Sequence, residues 1–407
     1  MRLLGLALVG LLSASCGENA SGGYRVTPQP GSGGSNGAGG SVGSGGSSGS
    51  GNPLGSGGTG AAQGGTAGAM SSGGAPATGG SAGATGGGAG SAGAGDEDPH
   101  PPRPIAVNPA TACNCELDFS AEDLDPMAGT SSTPTHSGDQ QHMKFDPSKP
   151  TQGKLVIVLG GIGGGPGPGG IYGYAIGKGF HAFLVATQTN ISSAPDEYKD
   201  STDPEDNRQV GDARLEAWDG EDRVDWLDVQ RPDSVERRTE LALAHAAQQD
   251  PGADWGYYLN ADGSVRWTDV FLVGYSFGSQ TIAMVGKYVR IGRALVTSGP
   301  EDEDFPDATW IAQPSATPLD RMYMMVGGQT DYPPASGDVG GKIDLVKRAG
   351  WVGEPINVHP GDAATLYTPP FKGANIMVLV GQGHSEMCAG NGGDWAAICD
   401  YGFGLLD

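Results

Sequence analysis

Residues 269–289 read DVFLVGYSFGSQTIAMVGKYV. An apolar run from Val270 to Val273 meets a bend at Gly274-Tyr275-Ser276-Phe277-Gly278, and a helical pattern follows at once. This is G-x-S-x-G between a buried strand and a helix, and few architectures accept it. The strand needs a sheet around it, the helix needs a face to cover, and the glycines let the turn crowd its neighbours. The turn leaves the Ser276 hydroxyl at a strand tip, close to the positive end of the following helix. The same spacing recurs in the Gly-rich stretch, among others at Ser35, Ser47 and Ser81, but without an apolar run or a helix former beside it. These are products of glycine abundance.

From Lys154 onward, apolar runs of strand length recur at Leu155–Leu159, Ala182–Ala186, Val270–Val273, Ala294–Thr297, Met322–Val326 and Ile376–Val380. They are nearly continuous rather than alternating, as strands covered on both faces require. A shorter strand is expected at Cys113–Phe119, ahead of them. Helices are expected at about 234–249 and 277–289. The first has Asp233 or Ser234 as N-cap, Glu236 in its first turn, and Asp250-Pro251-Gly252 as its stop. The fold class is therefore α/β, a mostly parallel sheet with helices on both faces. Ligands on such sheets collect at the carboxyl ends of the strands, where Ser276 lies.

Not all 407 residues belong to that domain. Residues 1–15 read as an export signal: Arg2, an apolar stretch from Leu3 to Leu12, then Ser13-Ala14-Ser15 before Cys16. LLSASC resembles a bacterial lipoprotein signal, which implies lipidation at Cys16 and a place in the cell envelope, at the outer membrane or cell surface. Ordinary cleavage and secretion is the alternative. Residues 16–100 are dominated by Gly, Ser and Ala, carry almost no apolar surface, and are expected to form a disordered linker. Its r.m.s. reach would be about 50 Å, enough to hold a domain off a membrane. Residues 101–407 remain for one α/β domain.

The net charge of −23, from 23 basic and 46 acidic residues, comes without any Lys/Arg run, so a nucleic-acid partner is excluded. Membrane association is expected only through the N-terminal anchor. The sequence leaves oligomeric state open. No CxxC or His-x-x-x-His spacing suggests a metal, and no cofactor motif is present. Apart from Cys16, the cysteines are Cys113, Cys115, Cys388 and Cys399, an even set that reads as disulfides in an exported chain. Cys113 and Cys115 are too close for an unstrained mutual bond if extended. Cys388 with Cys399 would close a short loop just after His384.

Beyond the elbow, strand RMYMMVG ends in Gly327-Gly328-Gln329-Thr330-Asp331, and strand NIMVLVG ends in Gly381-Gln382-Gly383-His384. A serine, an aspartate and a histidine thus follow three strand tips in chain order, and the chain resembles the α/β-hydrolase superfamily over about residues 150–400. The resemblance implies Ser276 as nucleophile, His384 as base and Asp331 as the acid orienting it, with Asp302 as an alternative acid after the earlier strand. It also implies an oxyanion hole from the backbone N–H groups of Ile162, in the glycine run 160–167, and Phe277. No GKS/T follows that run, which argues against a phosphate loop. The acidic insertion at about 192–233 lies where hydrolases place a lid, and its plain reading is a solvated loop. The expected activity is hydrolysis of a small-molecule ester. A non-catalytic binding or adhesion module, or a peptidase on the same fold, is the alternative.

Overall fold

The computed structural model describes residues 104–161, 169–187, 201–300, 308–332, 338–359, 373–384, 387–388 and 395–405. The expected signal, Cys16 and the whole of the expected linker lie outside these residues, as does Ile162.

Among the described residues, nine strands form one sheet. They are β1 (Glu116–Phe119), β2 (Gln141–Lys144), β3 (Leu155–Leu159), β4 (His181–Val185), β5 (Val270–Tyr275), β6 (Arg293–Thr297), β7 (Met322–Gly328), β8 (Ile356–Val358) and β9 (Ile376–Val380). Their order across the sheet is β1-β2-β4-β3-β5-β6-β7-β9-β8. β1 and β2 run antiparallel, β2 is antiparallel to β4, and the other pairs are parallel. The register pairs Leu159 with Gly274, Tyr275 with Thr297, and Gly328 with Val380. The tips of β3, β5, β6, β7 and β9 therefore reach one edge together.

Among the described residues, seven α-helices accompany the sheet: α1 (Ala121–Leu124), α2 (Gly169–Gly177), α3 (Pro204–Asp219), α4 (Val235–Gln249), α5 (Phe277–Tyr288), α6 (Asp338–Arg348) and α7 (Ala396–Gly402). The continuous apolar strands explain themselves in the packing. Leu155, Ile157 and Leu159 of β3 join one core with α3, α4 and α5, while Val156 and Val158 join a second with α2 and α7. Successive side chains point to opposite faces and both faces are covered, so no position of β3 reaches water.

Three expectations are corrected. The strand expected at 113–119 begins only at Glu116, because the chain bends at Cys115 and Cys113 bonds to Cys115. Their Cα atoms are 5.1 Å apart, inside the usual range for a disulfide and shorter than the roughly 6.6 Å of two extended residues. The strand expected from Ala182 begins at His181, whose buried ring reaches Ala253 O through Nε2 at 2.7 Å and stacks on Phe145 at 4.1 Å.

The acidic insertion, read as a solvated loop, instead contains α3. Asp203 caps it by accepting from Glu205 N, Pro204 opens it, and Gly220 closes it at φ 77°. Arg214, Glu216 and Trp218 on this helix are buried. The Glu216 carboxylate accepts from the backbone N–H groups of Arg223, Val224 and Val229, which ties down the chain leaving the helix. Burial pushes its carboxyl up from the ordinary value, against the pull of those donors.

Candidate active site

The elbow is built as the sequence pattern requires. Ser276 has φ 53° and ψ −121°, a conformation that costs a non-glycine residue on the order of 1–3 kcal/mol and persists only where its surroundings enforce it. Its N–H donates to Thr297 O at 2.9 Å, and its carbonyl accepts from Ser279 N at 2.8 Å. Ser279 Oγ lies 2.9 Å from Gly274 O and 2.8 Å from Thr297 O, and accepts from Thr297 N at 3.1 Å. One buried hydroxyl thus ties the first turn of α5 to both β5 and β6.

The glycines meet close approaches by backbone. A Cβ at Gly274 would lie 2.5 Å from Gly278 O, and a Cβ at Gly278 would lie 2.4 Å from Gly160 O. Gly274 lets the turn close on itself and Gly278 lets the end of β3 pass against it, each because it carries no side chain.

His384 lies four residues past β9, and its Nε2 is 3.0 Å from Ser276 Oγ. That is hydrogen-bond distance between an imidazole and the hydroxyl it would deprotonate. The loop carrying His384 is drawn to the tip of β7: Gly381 N donates to Gly328 O, and a Cβ at Gly327 would come 2.3 Å from Gly383 O. The Tyr275 ring flanks the imidazole at a centroid distance of 5.6 Å. Ser276 is 5 % exposed and His384 is exposed, so the pair sits at the surface end of the strands.

Phe277 is the first residue of α5, so its N–H has no acceptor within the helix and stands beside Ser276. Gly161, at the start of the glycine run, passes so near the elbow that a Cβ there would lie 3.2 Å from that of Ser276. Ile162 and the acidic residues 301–304, including Asp302, lie outside the described residues.

Asp331 does not join the pair. Its Oδ1 is 3.1 Å from His359 Nε2, and both side chains are largely open to water, at 58 % and 44 % exposure. The cause is local. Strand β7 runs two residues past its expected end, and Asn357 of β8 grips the next residue by bonding both Tyr332 N and Tyr332 O, at 2.8 and 2.7 Å. The loop is thereby tied to β8. Sequence reasoning missed His359 because β8 is only three residues long. Its signal was a histidine directly after an Ile-Asn-Val run.

Cys388 is bonded to Cys399, with Cα atoms 5.7 Å apart, and this ties the chain just past His384 to α7. Glu116, Asp118 and His142 bring ligating atoms within 4.8 Å of one another at the outer edge of the sheet, where His142 Nδ1 lies 2.7 Å from Asp118 Oδ1. That group is a histidine–carboxylate contact with a second carboxylate beside it, on the two strands at the far edge of the sheet from β5.

No family model matches the chain, and no curated protein matches it. Among solved structures, the chain is similar to an acetyl ester-xyloside bifunctional hydrolase from Caldicellulosiruptor lactoaceticus, at 10 % identity and a TM-score of 0.33, over 71 % of this chain and 96 % of that one. A sugar hydrolase from Lactococcus lactis gives 10 % identity and 0.32, over 72 % of this chain and 96 % of that one. A carboxylesterase from Lactobacillus plantarum gives 11 % and 0.29, over 66 % of this chain and 84 % of that one. Similarity at this level says nothing of substrate. By its own mostly parallel sheet covered on both faces, its strained serine elbow after β5 and its histidine after β9, the chain has the α/β-hydrolase fold.

Proposed function

We propose that the protein is a serine hydrolase acting on ester-type carbonyls, with Ser276 as nucleophile and His384 as general base. The observation that carries this is the 3.0 Å approach of His384 Nε2 to Ser276 Oγ on a backbone held at positive φ. His384 takes the hydroxyl proton as Oγ attacks the carbonyl carbon. It returns that proton to the leaving oxygen, and water then releases the acyl group by the same route. The N–H of Phe277 is placed to donate to the oxyanion as charge appears on it, with Ile162 proposed as the second donor. Holding Ser276 in a costly conformation has no evident structural return, which favours turnover over a pure binding role.

The test is Ser276→Ala, which should abolish labelling by a fluorophosphonate probe and lower hydrolysis of p-nitrophenyl acetate by about 10³-fold or more. Folding should be nearly unchanged. Stoichiometric labelling of the variant would overturn the assignment. From LLSASC at the N-terminal segment, we also propose export and lipid anchoring at Cys16. Cys16→Ser should then move the protein from the membrane fraction to the soluble fraction, and unchanged membrane retention would refute the anchor.

A further inference from the structure

A cleft lies at the opposite end of the sheet from Ser276. It has a volume of about 530 Å³ and is lined by Phe271, Arg293, Arg321, Tyr323, Asn375 and Tyr401, among others. Phe271 is the second residue of β5, Arg293 the first of β6 and Tyr323 the second of β7, while Asn375 precedes β9. Because these strands are parallel, the cleft is at their amino ends. Phe271 and Ser276 are five residues apart along one extended strand, a separation of about 16 Å. The cleft is of a size that holds a small organic ligand.

Its cations are arranged in two different ways. Arg293 is 6 % exposed and fixed: its guanidinium carbon stands 4.3 Å from the Tyr323 ring centroid and 5.7 Å from that of Phe271. Its Nη1 reaches the carbonyls of Tyr401 and Gly402 at 3.3 and 3.4 Å. A group held this way loses little freedom when a ligand arrives. Arg321 is exposed at the mouth, and among the described residues its guanidinium has no ion-pair partner. Lys154 also lines the cleft, but its ammonium is taken by Asp269 at 2.5 Å. Asp320 lines it too, and forms no ion pair with its neighbour Arg321.

We propose that this cleft binds a small organic carboxylate, with the Arg321 and Arg293 guanidinium groups facing the anion and the Phe271, Tyr323 and Tyr401 rings receiving its apolar part. Guanidinium forks match the two oxygens of a carboxylate, and aromatic walls suit a ligand with an apolar body. In a chain of net charge −23, the long-range field repels anions. An anion that binds must therefore be held by local groups such as these. The site is separate from the proposed hydrolytic pair and does not depend on it.

The test is calorimetric titration of the full chain with benzoate, its neutral isostere benzamide, and inorganic phosphate, at low ionic strength and neutral pH. Benzoate should bind at one site, with benzamide and phosphate each at least about tenfold weaker. Arg293 props the end of α7, so its removal could cost folding. Arg321→Gln removes the exposed cation instead, and should weaken benzoate by about tenfold or more while melting temperature and ester hydrolysis stay unchanged. Prior labelling of Ser276 with the fluorophosphonate should leave benzoate binding intact. Absence of benzoate binding, equal binding by Arg321→Gln, phosphate binding as tight as benzoate, or loss of binding after labelling would each overturn the proposal.

Discussion

The separation of Asp331 from His384 makes a quantitative prediction for Asp331→Asn. The Asp331–His359 contact is 3.1 Å long but lies in water, with the two side chains 58 % and 44 % exposed. Pairs of that kind are worth about 0–1 kcal/mol. Even if all of it were lost from the transition state, the rate would fall only about fivefold. An acid that holds a catalytic imidazole in its working tautomer contributes far more, and its amide variant loses about 10⁴-fold. The two roles therefore differ by more than three decades, well beyond the scatter of a steady-state assay. We expect kcat for p-nitrophenyl acetate in Asp331→Asn to stay within about fivefold of wild type, and His359→Gln to match it. Fluorophosphonate labelling should proceed at nearly the wild-type rate in both. A fall of about 10³-fold or more in Asp331→Asn, with melting temperature unchanged, would show that Asp331 serves His384 in the working enzyme and would refute the reasoning.

Replacing both Cys388 and Cys399 by alanine removes a link across a sequence separation of 11, which by chain entropy should cost about 3 kcal/mol in denaturant unfolding. Because the link lies four residues past His384, kcat should fall with it, and a doubly substituted protein of wild-type stability would refute the link. His181 is buried and its ring is pushed down to about 4 by loss of hydration. The unfolded state therefore takes up a proton first, and this histidine's contribution is intact above about pH 6.5, lost as pH falls toward about 4, and constant below. That loss should total about 3 kcal/mol, so His181→Asn should flatten the decline of stability measured across this window. An identical pH slope in wild type and variant would count against it.

The strands were legible because burial on both faces leaves a mark that needs no tertiary knowledge. Leu155–Leu159 and Ile376–Val380 appear in the fold with the bounds expected. Misreadings occur where a polar residue is satisfied by something distant in sequence. His181 begins β4 because Ala253 O and the Tyr258 hydroxyl lie beside its ring nitrogens, and neither is visible from HAFLV. Helix α3 hid behind its acidic composition. Its start and stop signals, Asp203-Pro204 and Gly220, were present, but they flank no obvious apolar stripe, since Arg214 and Glu216 are buried through hydrogen bonds.

The same distinction separates the members of the site. Ser276 and His384 were legible because each is placed by backbone that a short motif encodes. The elbow is set by Gly274 and Gly278 against their neighbours, and the histidine loop by the contact of Gly327 with Gly383 O. A glycine in a motif reports close approach whatever the rest of the chain does. The partner of Asp331 was set differently, by the direction in which its loop leaves β7, and that direction depends on Asn357, 25 residues further on. A side-chain amide gripping one peptide group leaves no local pattern. Residues following strand tips in chain order can therefore show that two side chains, Ser276 and His384, meet without showing which group Asp331 meets. A change at Asn357 that frees Tyr332 is the substitution by which the Asp331 loop would lose its tie to β8.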